Sequence, residues 1–595
     1  MRKIILAALC ASFALVAHAA SSPNTPADTC NLDYQIEARW DETPRRFDVT
    51  LSFDVPEKGE TILSGPKSWG GVDDFDKTIL NVRAISDGTS LKSVESDQWL
   101  VSQSDNPKKR VSVRYSIING IGNVDDATPI SHRDFHRNTL GKEHFHLIGY
   151  GALLWPQRVT GENYLTCITI SGLPETWSTA SSFGEGQQSG VARIRFVGSL
   201  QQIRGAVYLG GDYRILRREI EGKPLLMALR GTWSFSDDKF ADATAALVRT
   251  HRAFWNDFDF PHYLIALGPN RSLGTSHGGT GLHNAFTMHA SPNFSVPGAQ
   301  FDALIGHEHL HTWMPQRIGS MGGNDQQLRY WFSEGFTNYL THRLLLQSGI
   351  WSLQQYAESL NGVIASYLMS PDVNASNERV LKEFWSNRAS IGNLPYLRGE
   401  LLALRWANRL SARGKSLELH LQALTKKADE APGRGTDEPE FFATAKLRAA
   451  LRADLGDAVD TDIDRYIERG ETFPIDEQFL GPCFDATFQH RAYFELGFDS
   501  ATSFSNRMIG GVVTDSAAER AGLRNGMTMK GWSARNGDST REASVTVIEN
   551  DTPREIKFLP ASTKTVRLPV FTVNPDAAGS AACAAWKPTT VKPAK

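Results

Sequence analysis

The sequence predicts a multidomain fold: a β-rich N-terminal domain, a mostly α middle domain and a smaller α+β unit near the C-terminus. Three observations carry this. The chain has 595 residues, and single hydrophobic cores stop growing at roughly 250–300 residues. Up to about Arg230 short runs alternate apolar and polar residues, the period of a half-buried strand. From about Ser236 the period becomes helical, and after about Phe473 it returns to short strands. The expected divisions are 1–19, 20–235, 236–472, 473–573 and 574–595.

Residues 1–19 read as a signal peptide: Arg2 and Lys3, an apolar run from Ile4 to Val16, and a small-x-small cleavage pattern at Ala17-His18-Ala19. This predicts export, to the periplasm or the medium. Cys10 lies inside the apolar run, and a lipid-attached signal is the alternative. No other apolar stretch approaches the roughly 20 residues of a membrane helix, so no membrane span is expected after cleavage. Loss of Arg2 and Lys3 moves the formal charge from −3 to −5 without leaving a basic block, which argues against a nucleic-acid partner. Cleavage leaves Cys30, Cys167, Cys483 and Cys583 in an oxidising compartment. Domain proximity pairs Cys30 with Cys167 and Cys483 with Cys583, and free buried thiols are the alternative.

In the N-terminal domain, Phe47-Asp48-Val49-Thr50-Leu51-Ser52-Phe53 and Val111-Ser112-Val113-Arg114-Tyr115-Ser116-Ile117 alternate as strands do. The middle domain is helical over Ala241–Val248, Leu397–Leu404 and Phe441–Leu447, with a strand-like run at His262–Leu267.

The chemistry concentrates in His307-Glu308-His309-Leu310-His311 and in Trp331-Phe332-Ser333-Glu334-Gly335. On a helix of about 100° per residue, His307 and His311 lie roughly 40° apart and one turn along, so both imidazoles can grip one metal. Phe301, Leu304, Ile305, Leu310 and Trp313 supply the apolar flank of such a helix, and Pro315 closes it. A catalytic zinc takes three protein ligands and keeps one open position; Glu334, opening a following helix, supplies the third. Glu308 then stands as general base, taking a proton from the attacking water and passing it to the leaving amine. His-Glu-x-x-His alone also arises by chance, and the Ser-Glu-Gly-Phe-Thr start after His311 is what gives it weight. His309 points about 200° from His307, which suits packing or support better than ligation.

Beyond Phe473, Phe494-Glu495-Leu496-Gly497-Phe498 and Ile509-Gly510-Gly511-Val512-Val513 precede Ser516-Ala517-Ala518-Glu519-Arg520-Ala521-Gly522-Leu523. This stretch resembles a PDZ domain of the bacterial protease type. The resemblance implies a groove that takes a peptide C-terminus, with Leu496-Gly497-Phe498 as its carboxylate loop; a packing module closed by its own chain is the alternative. The tail from Asn574, rich in Ala, Pro and Lys, is expected to be poorly ordered beyond Cys583.

With the zinc motif, Arg317, the Trp331–Tyr339 helix and the PDZ-like unit, the chain resembles the glycyl aminopeptidase family of zinc metallopeptidases. The resemblance implies a thermolysin-like (gluzincin) catalytic domain between the β-rich and PDZ-like units, and one Zn²⁺ per chain. It also implies a Tyr-x-Lys-Gly helix start whose tyrosine stabilises an oxyanion. Here that segment is Tyr396-Leu397-Arg398-Gly399, with Arg398 in place of Lys. A phenol opposite a metal can donate to a tetrahedral oxyanion, which is the physical case for Tyr396; a half-buried packing role is the other reading. Upstream, relatives carry a Gly-Gly-Leu-Glu-His-type strand whose glutamate is associated with the substrate amine. This chain has Gly278-Gly279-Thr280-Gly281-Leu282-His283-Asn284, without that carboxylate. Gly278, Gly279 and Gly281 can still lie along a peptide substrate. His283 and Asn284 either contact that substrate or simply end the strand.

These features predict an exported zinc metallopeptidase acting on peptides or proteins, with aminopeptidase action foremost. The altered strand keeps open a zinc endopeptidase, and a non-catalytic peptide-binding protein is the rival from another class.

Overall fold

The computed structural model describes residues 29–586 apart from 57–58, 104–109, 122–131, 160–162, 187–189, 272–275, 316, 389, 430–437, 536–537, 578, 581–582 and 584–585. The expected signal segment, with Cys10, lies outside the described residues.

The N-terminal part is β-rich. Its six-stranded sheet runs in the order Ala192–Gly198, Tyr164–Ser171, Leu32–Arg39, Arg46–Asp54, Arg110–Ile118, Ile79–Ala84. The two alternating runs read from the sequence are paired neighbours, with Phe47 opposite Ile117 and Leu51 opposite Val113. Phe47, Val49, Leu51 and Phe53 all face the core with at most 1% of their surface exposed, so a one-residue slip would drive every one of them into water. Cys30 is bonded to Cys167, tying the chain start to the strand Tyr164–Ser171.

A second sheet positions the functional region. Its order is Arg214–Ile220, Lys223–Leu229, Tyr263–Pro269, Ala285–Ala290, His277–Leu282. Lys223–Leu229, Tyr263–Pro269 and Ala285–Ala290 are parallel, and Leu225 to Leu229 is a continuous buried run, as a strand covered on both faces requires. This corrects the expected division at 235/236: strands 214–229 belong to this sheet, not to the N-terminal one. The unbroken apolar run Leu225–Leu229 in the second of them matches neither the alternation before it nor the helical period after it. Ser236 then caps the helix Asp237–Trp255, its side chain accepting from the Lys239 amide.

Helices dominate the chain from Ala299 to Leu455, chiefly Ala299–Leu310, Gly335–Gln347, Leu353–Leu368, Leu394–Ser411, Leu417–Asp429 and Ala443–Leu455. Their shared core includes Trp313, Phe332, Phe336, Leu340, Leu401 and Trp406, none more than 1% exposed.

Beyond Phe473 the chain forms a long antiparallel ribbon, Phe484–Phe494 with Ala561–Val573, and a three-stranded sheet of Thr528–Ser533, Ala543–Glu549 and Thr552–Phe558. The expected strands around 494–498 and 509–513 are not regular. They run side by side through two bonds, Asp499 N–H to Gly510 O (3.0 Å) and Val513 N–H to Gly497 O (2.8 Å). The ribbon is anchored on the helix Leu353–Leu368, where the Asn361 side chain both donates to and accepts from the backbone of Phe571 at 2.8 Å. Cys483 is bonded to Cys583; of the tail beyond it, which the sequence predicts to be poorly ordered, Trp586 alone is among the described residues. Trp586 is only 8% exposed, packed on Tyr356 and Phe484 with the Arg343 guanidinium 4.6 Å from its ring centre. The bulk of a tryptophan buried on an aromatic floor outweighs the weak local propensity of an Ala- and Pro-rich tail.

Candidate metal centre

The helix Ala299–Leu310 is held from below by Phe301, Ile305 and Leu310, each fully buried, and by the Asp302 carboxylate, which accepts from the Trp351 indole at 3.0 Å. Regular helix ends at Leu310, sooner than the closing Pro315 suggests. His311 keeps a right-handed backbone (φ −62°, ψ −11°), so the one-turn spacing to His307 survives. The two Nε2 atoms stand 3.1 Å apart.

Glu334 sits where the short helix Tyr330–Ser333 gives way to Gly335–Gln347. Its Oε2 lies 3.2 Å from His307 Nε2 and 3.5 Å from His311 Nε2. Three donors about 2.0–2.2 Å from one zinc ion at tetrahedral angles are separated by about 3.3 Å, so the triangle has the size the ion needs. The far side of each ring agrees. His307 Nδ1 is 2.7 Å from Asn338 Oδ1, and His311 Nδ1 is 2.9 Å from the Met314 carbonyl. Both partners are acceptors, so each Nδ1 carries the proton and each Nε2 lone pair faces the centre. Ser333 Oγ donates to Glu334 Oε1 at 2.8 Å.

Glu308 lies beside the triad and accepts from the Gly281 amide at 3.1 Å. Burial raises its pKa, with the His307 and His311 charges opposing and Glu334 adding to the rise. A carboxylate shifted toward neutrality is better matched to shuttling a proton than an ordinary one.

Tyr396 belongs to the helix Leu394–Ser411, and two glycines bring it in. A Cβ on Gly335 would collide with Gly399 Cα, and one on Gly399 would overlap the Trp331 carbonyl oxygen. The helices of Glu334 and Tyr396 therefore cross in backbone contact, which places the Tyr396 ring centre 6.0 Å from that of His307. Burial pushes the phenol's pKa up, and the Glu334 charge adds to it. Arg398 faces away. It is 2% exposed and donates to the Val373 carbonyl at 2.8 Å, so the exchange of Lys for Arg falls on a structural position.

Gly278, Gly279 and Gly281 lie on His277–Leu282, the edge strand next to the histidine helix, which among the described strands pairs with Ala285–Ala290 alone. Gly279 is filled by the Phe286 ring and the Thr287 carbonyl, leaving no room for a side chain. His283 and Asn284 are the two-residue turn closing this hairpin, and Asn284 takes a left-handed φ of 45°. The His283 amide donates to Gly205 O at 2.7 Å and its ring packs against Phe183 and Phe196. The hairpin thus docks His283 on the N-terminal part, an arrangement that suits the end of a strand.

His309, 1% exposed, stacks on His251 with their Nδ1 atoms 3.1 Å apart, and meets Tyr263 and Trp313 edge-on. It supports the helix and takes no place among the donors. Arg317 donates to Asp257 at 2.7 Å, as does the Trp313 indole at 2.8 Å, so it braces the chain after the helix. The sequence analysis missed Asn338, although its place one turn beyond Glu334 was a signal that could have found it. The Met314 carbonyl and Arg388, which reaches the Tyr396 hydroxyl, left no such signal.

Residues 300–386 match the family model of M61 glycyl aminopeptidase, and that segment contains His307, Glu308, His311 and Glu334. The chain is a metallopeptidase. Its fold is similar to that of an aminopeptidase N family protein from Idiomarina loihiensis, with a TM-score of 0.66 and 16% identity over 92% of this chain and 98% of that one. An M1 zinc metallopeptidase from Deinococcus radiodurans aligns at a TM-score of 0.44 and 15% identity, over 74% of this chain and 94% of that one. Yeast LTA4 hydrolase aligns at 0.47 and 12%, over 76% and 69%. No curated protein sequence matches the chain.

Proposed function

We propose that this metallopeptidase is an exported zinc aminopeptidase, hydrolysing peptide bonds near the N-termini of peptides or unfolded proteins. The observation that carries the proposal is the triangle of His307 Nε2, His311 Nε2 and Glu334 Oε2, with Glu308 beside it and a one-sided edge strand alongside. His307, His311 and Glu334 would hold one zinc ion, which would supply the Lewis acidity for activating water and polarising the scissile carbonyl. Glu308 accepts the proton from the attacking water and returns it to the leaving amine. Tyr396 donates its phenolic hydrogen to the oxyanion that develops on the carbonyl oxygen. Gly278, Gly279 and Gly281 leave the edge strand's backbone open to an extended peptide. Glycine at Gly281 also keeps the space next to Glu308 free of a side chain.

The PDZ-like unit serves in this reading as a packing module. Gly497 has φ +74°, a Cβ there would meet Ser516, and its carbonyl accepts from Val513. Export rests on the sequence of residues 1–19 and on two disulfides that an oxidising compartment would preserve.

The test is E308Q beside the wild type, with metal content and peptide cleavage measured on both. The variant should retain its zinc and lose activity by about 100-fold or more; equal activity in the two proteins would discard the mechanism. Paired free and N-acetylated peptides decide the subclass. Cleavage of the acetylated member as fast as the free one would replace the aminopeptidase by an endopeptidase.

A further inference from the structure

Arg388 is an exposed arginine whose guanidinium, among the described residues, pairs with no carboxylate. It is nevertheless held on three sides. Its Nη2 donates to the Tyr396 hydroxyl oxygen at 3.1 Å and its Nη1 to the Gly392 carbonyl. Its Cζ lies 4.5 Å from the centre of the Phe384 ring and 5.2 Å from that of Tyr396. Phe384 is itself 2% exposed and braced edge-on by Tyr330 at 4.9 Å. The seat is shaped for this side chain: a Cβ on Gly392 would come within 2.8 Å of both Arg388 Cδ and the Phe384 carbonyl oxygen. Holding a long, rotamer-rich side chain this firmly at a surface costs conformational entropy, and no ion pair among the described residues offsets it.

The bond to Tyr396 has a fixed polarity. A guanidinium has five donors and no acceptor, so the phenolic oxygen must be the acceptor and its own hydrogen must point elsewhere. The Tyr396 ring also stacks on His307, 6.0 Å between ring centres, which puts it beside the reaction site. We propose that Arg388 is a positioning residue: it grips the Tyr396 oxygen, turns the phenolic hydrogen toward the developing oxyanion, and makes that hydrogen a stronger donor. The proposal rests on the role given to Tyr396 under Proposed function. It needs no contact between Arg388 and the substrate, which separates it from a substrate anchor.

The experiment compares kcat and KM for R388A, R388K, Y396F and R388A/Y396F, with zinc content and Tm measured for each. R388A should lower kcat about 10- to 100-fold, the scale of one charge-assisted hydrogen bond, with KM and zinc content unchanged. R388K should recover part of the loss, since an ammonium can reach the phenol but cannot bridge it to Gly392 O. In the Y396F background R388A should add nothing, because the oxygen it acts through is gone. An R388A effect that persists undiminished in that background, or one confined to KM, overturns the proposal. If Y396F is crippled and R388A is not, Arg388 loses its role and Tyr396 keeps its own. If Y396F is fully active, the oxyanion reading falls and the Arg388 proposal falls with it. Should R388A fold poorly by Tm, G392A provides the second route: it displaces the guanidinium without removing it, and should reproduce the kcat loss. A G392A variant of normal kcat would also sink the idea.

Discussion

At the scale of single residues, the centre is built from groups that act on one another's protons. Asn338 Oδ1 takes the Nδ1 hydrogen of His307, and the Met314 carbonyl takes that of His311, so each imidazole presents its lone pair inward. Orienting partners of this kind are worth about 10- to 100-fold in metal affinity. N338A should therefore weaken zinc binding by that amount in a chelator competition while leaving the zinc-saturated enzyme largely active. Wild-type affinity in N338A would mean that the helix alone orients His307. The sequence made His307, His311, Glu334 and Glu308 legible because their spacing on helices is local. Arg388 was not legible, since it lies in an irregular turn and meets Tyr396 only through the fold.

At the scale of elements, two glycines set the distance between the ligand helix and the helix of Tyr396. Gly335 and Gly399 let Gly335–Gln347 and Leu394–Ser411 touch backbone to backbone. In Tyr396-Leu397-Arg398-Gly399 the glycine is thus a matter of space, and the arginine, buried under Val373, a matter of support. G399A must push the helices apart. Overpacking of this kind costs about 1–3 kcal/mol, and the displacement should also draw Tyr396 away from the centre. Lower Tm together with lower kcat at full zinc occupancy is the expected result. A variant with wild-type Tm and kcat would show that the crossing yields without consequence. The hairpin His277–Ala290 carries the opposite lesson. Its glycines were readable as an open edge, but the docking of its turn on Phe183 and Phe196 depended on a sheet formed elsewhere in the chain.

For the whole molecule, the contact between the N-terminal part and the functional region is lined with neutral histidines, and this makes stability depend on pH. Burial, with His136 adding, drives the His146 pKa down to about 3. Burial, with His262 adding, brings His283 to about 4. His144 is also well below its usual value through burial, the nearby Arg230 charge and His146. In the unfolded chain each titrates near 6.5. Between that value and the folded one, the unfolded state binds protons that the folded state refuses, so stability falls as pH drops from about 6.5 toward 4 and is unaffected above 6.5. Tm measured at pH 7.5, 6 and 5 should decline across the last two points, and H146L should decline less than the wild type. Parallel curves for the two proteins would remove His146 from the account. What the sequence determined by itself was the β-rich, helical and short-stranded order of the chain and a candidate metal group of His307, His311 and Glu334, because strand and helix periods and the one-turn spacing of the histidines are written within a few residues of one another, and Glu334 opens a helix start of its own. What only the tertiary structure decided was where the second sheet begins, that Trp586 packs on Tyr356 and Phe484, that His283 ends a strand, and which groups hold His307, His311 and Tyr396 in place. Those outcomes depend on contacts between segments tens to hundreds of residues apart, whose packing no local pattern encodes.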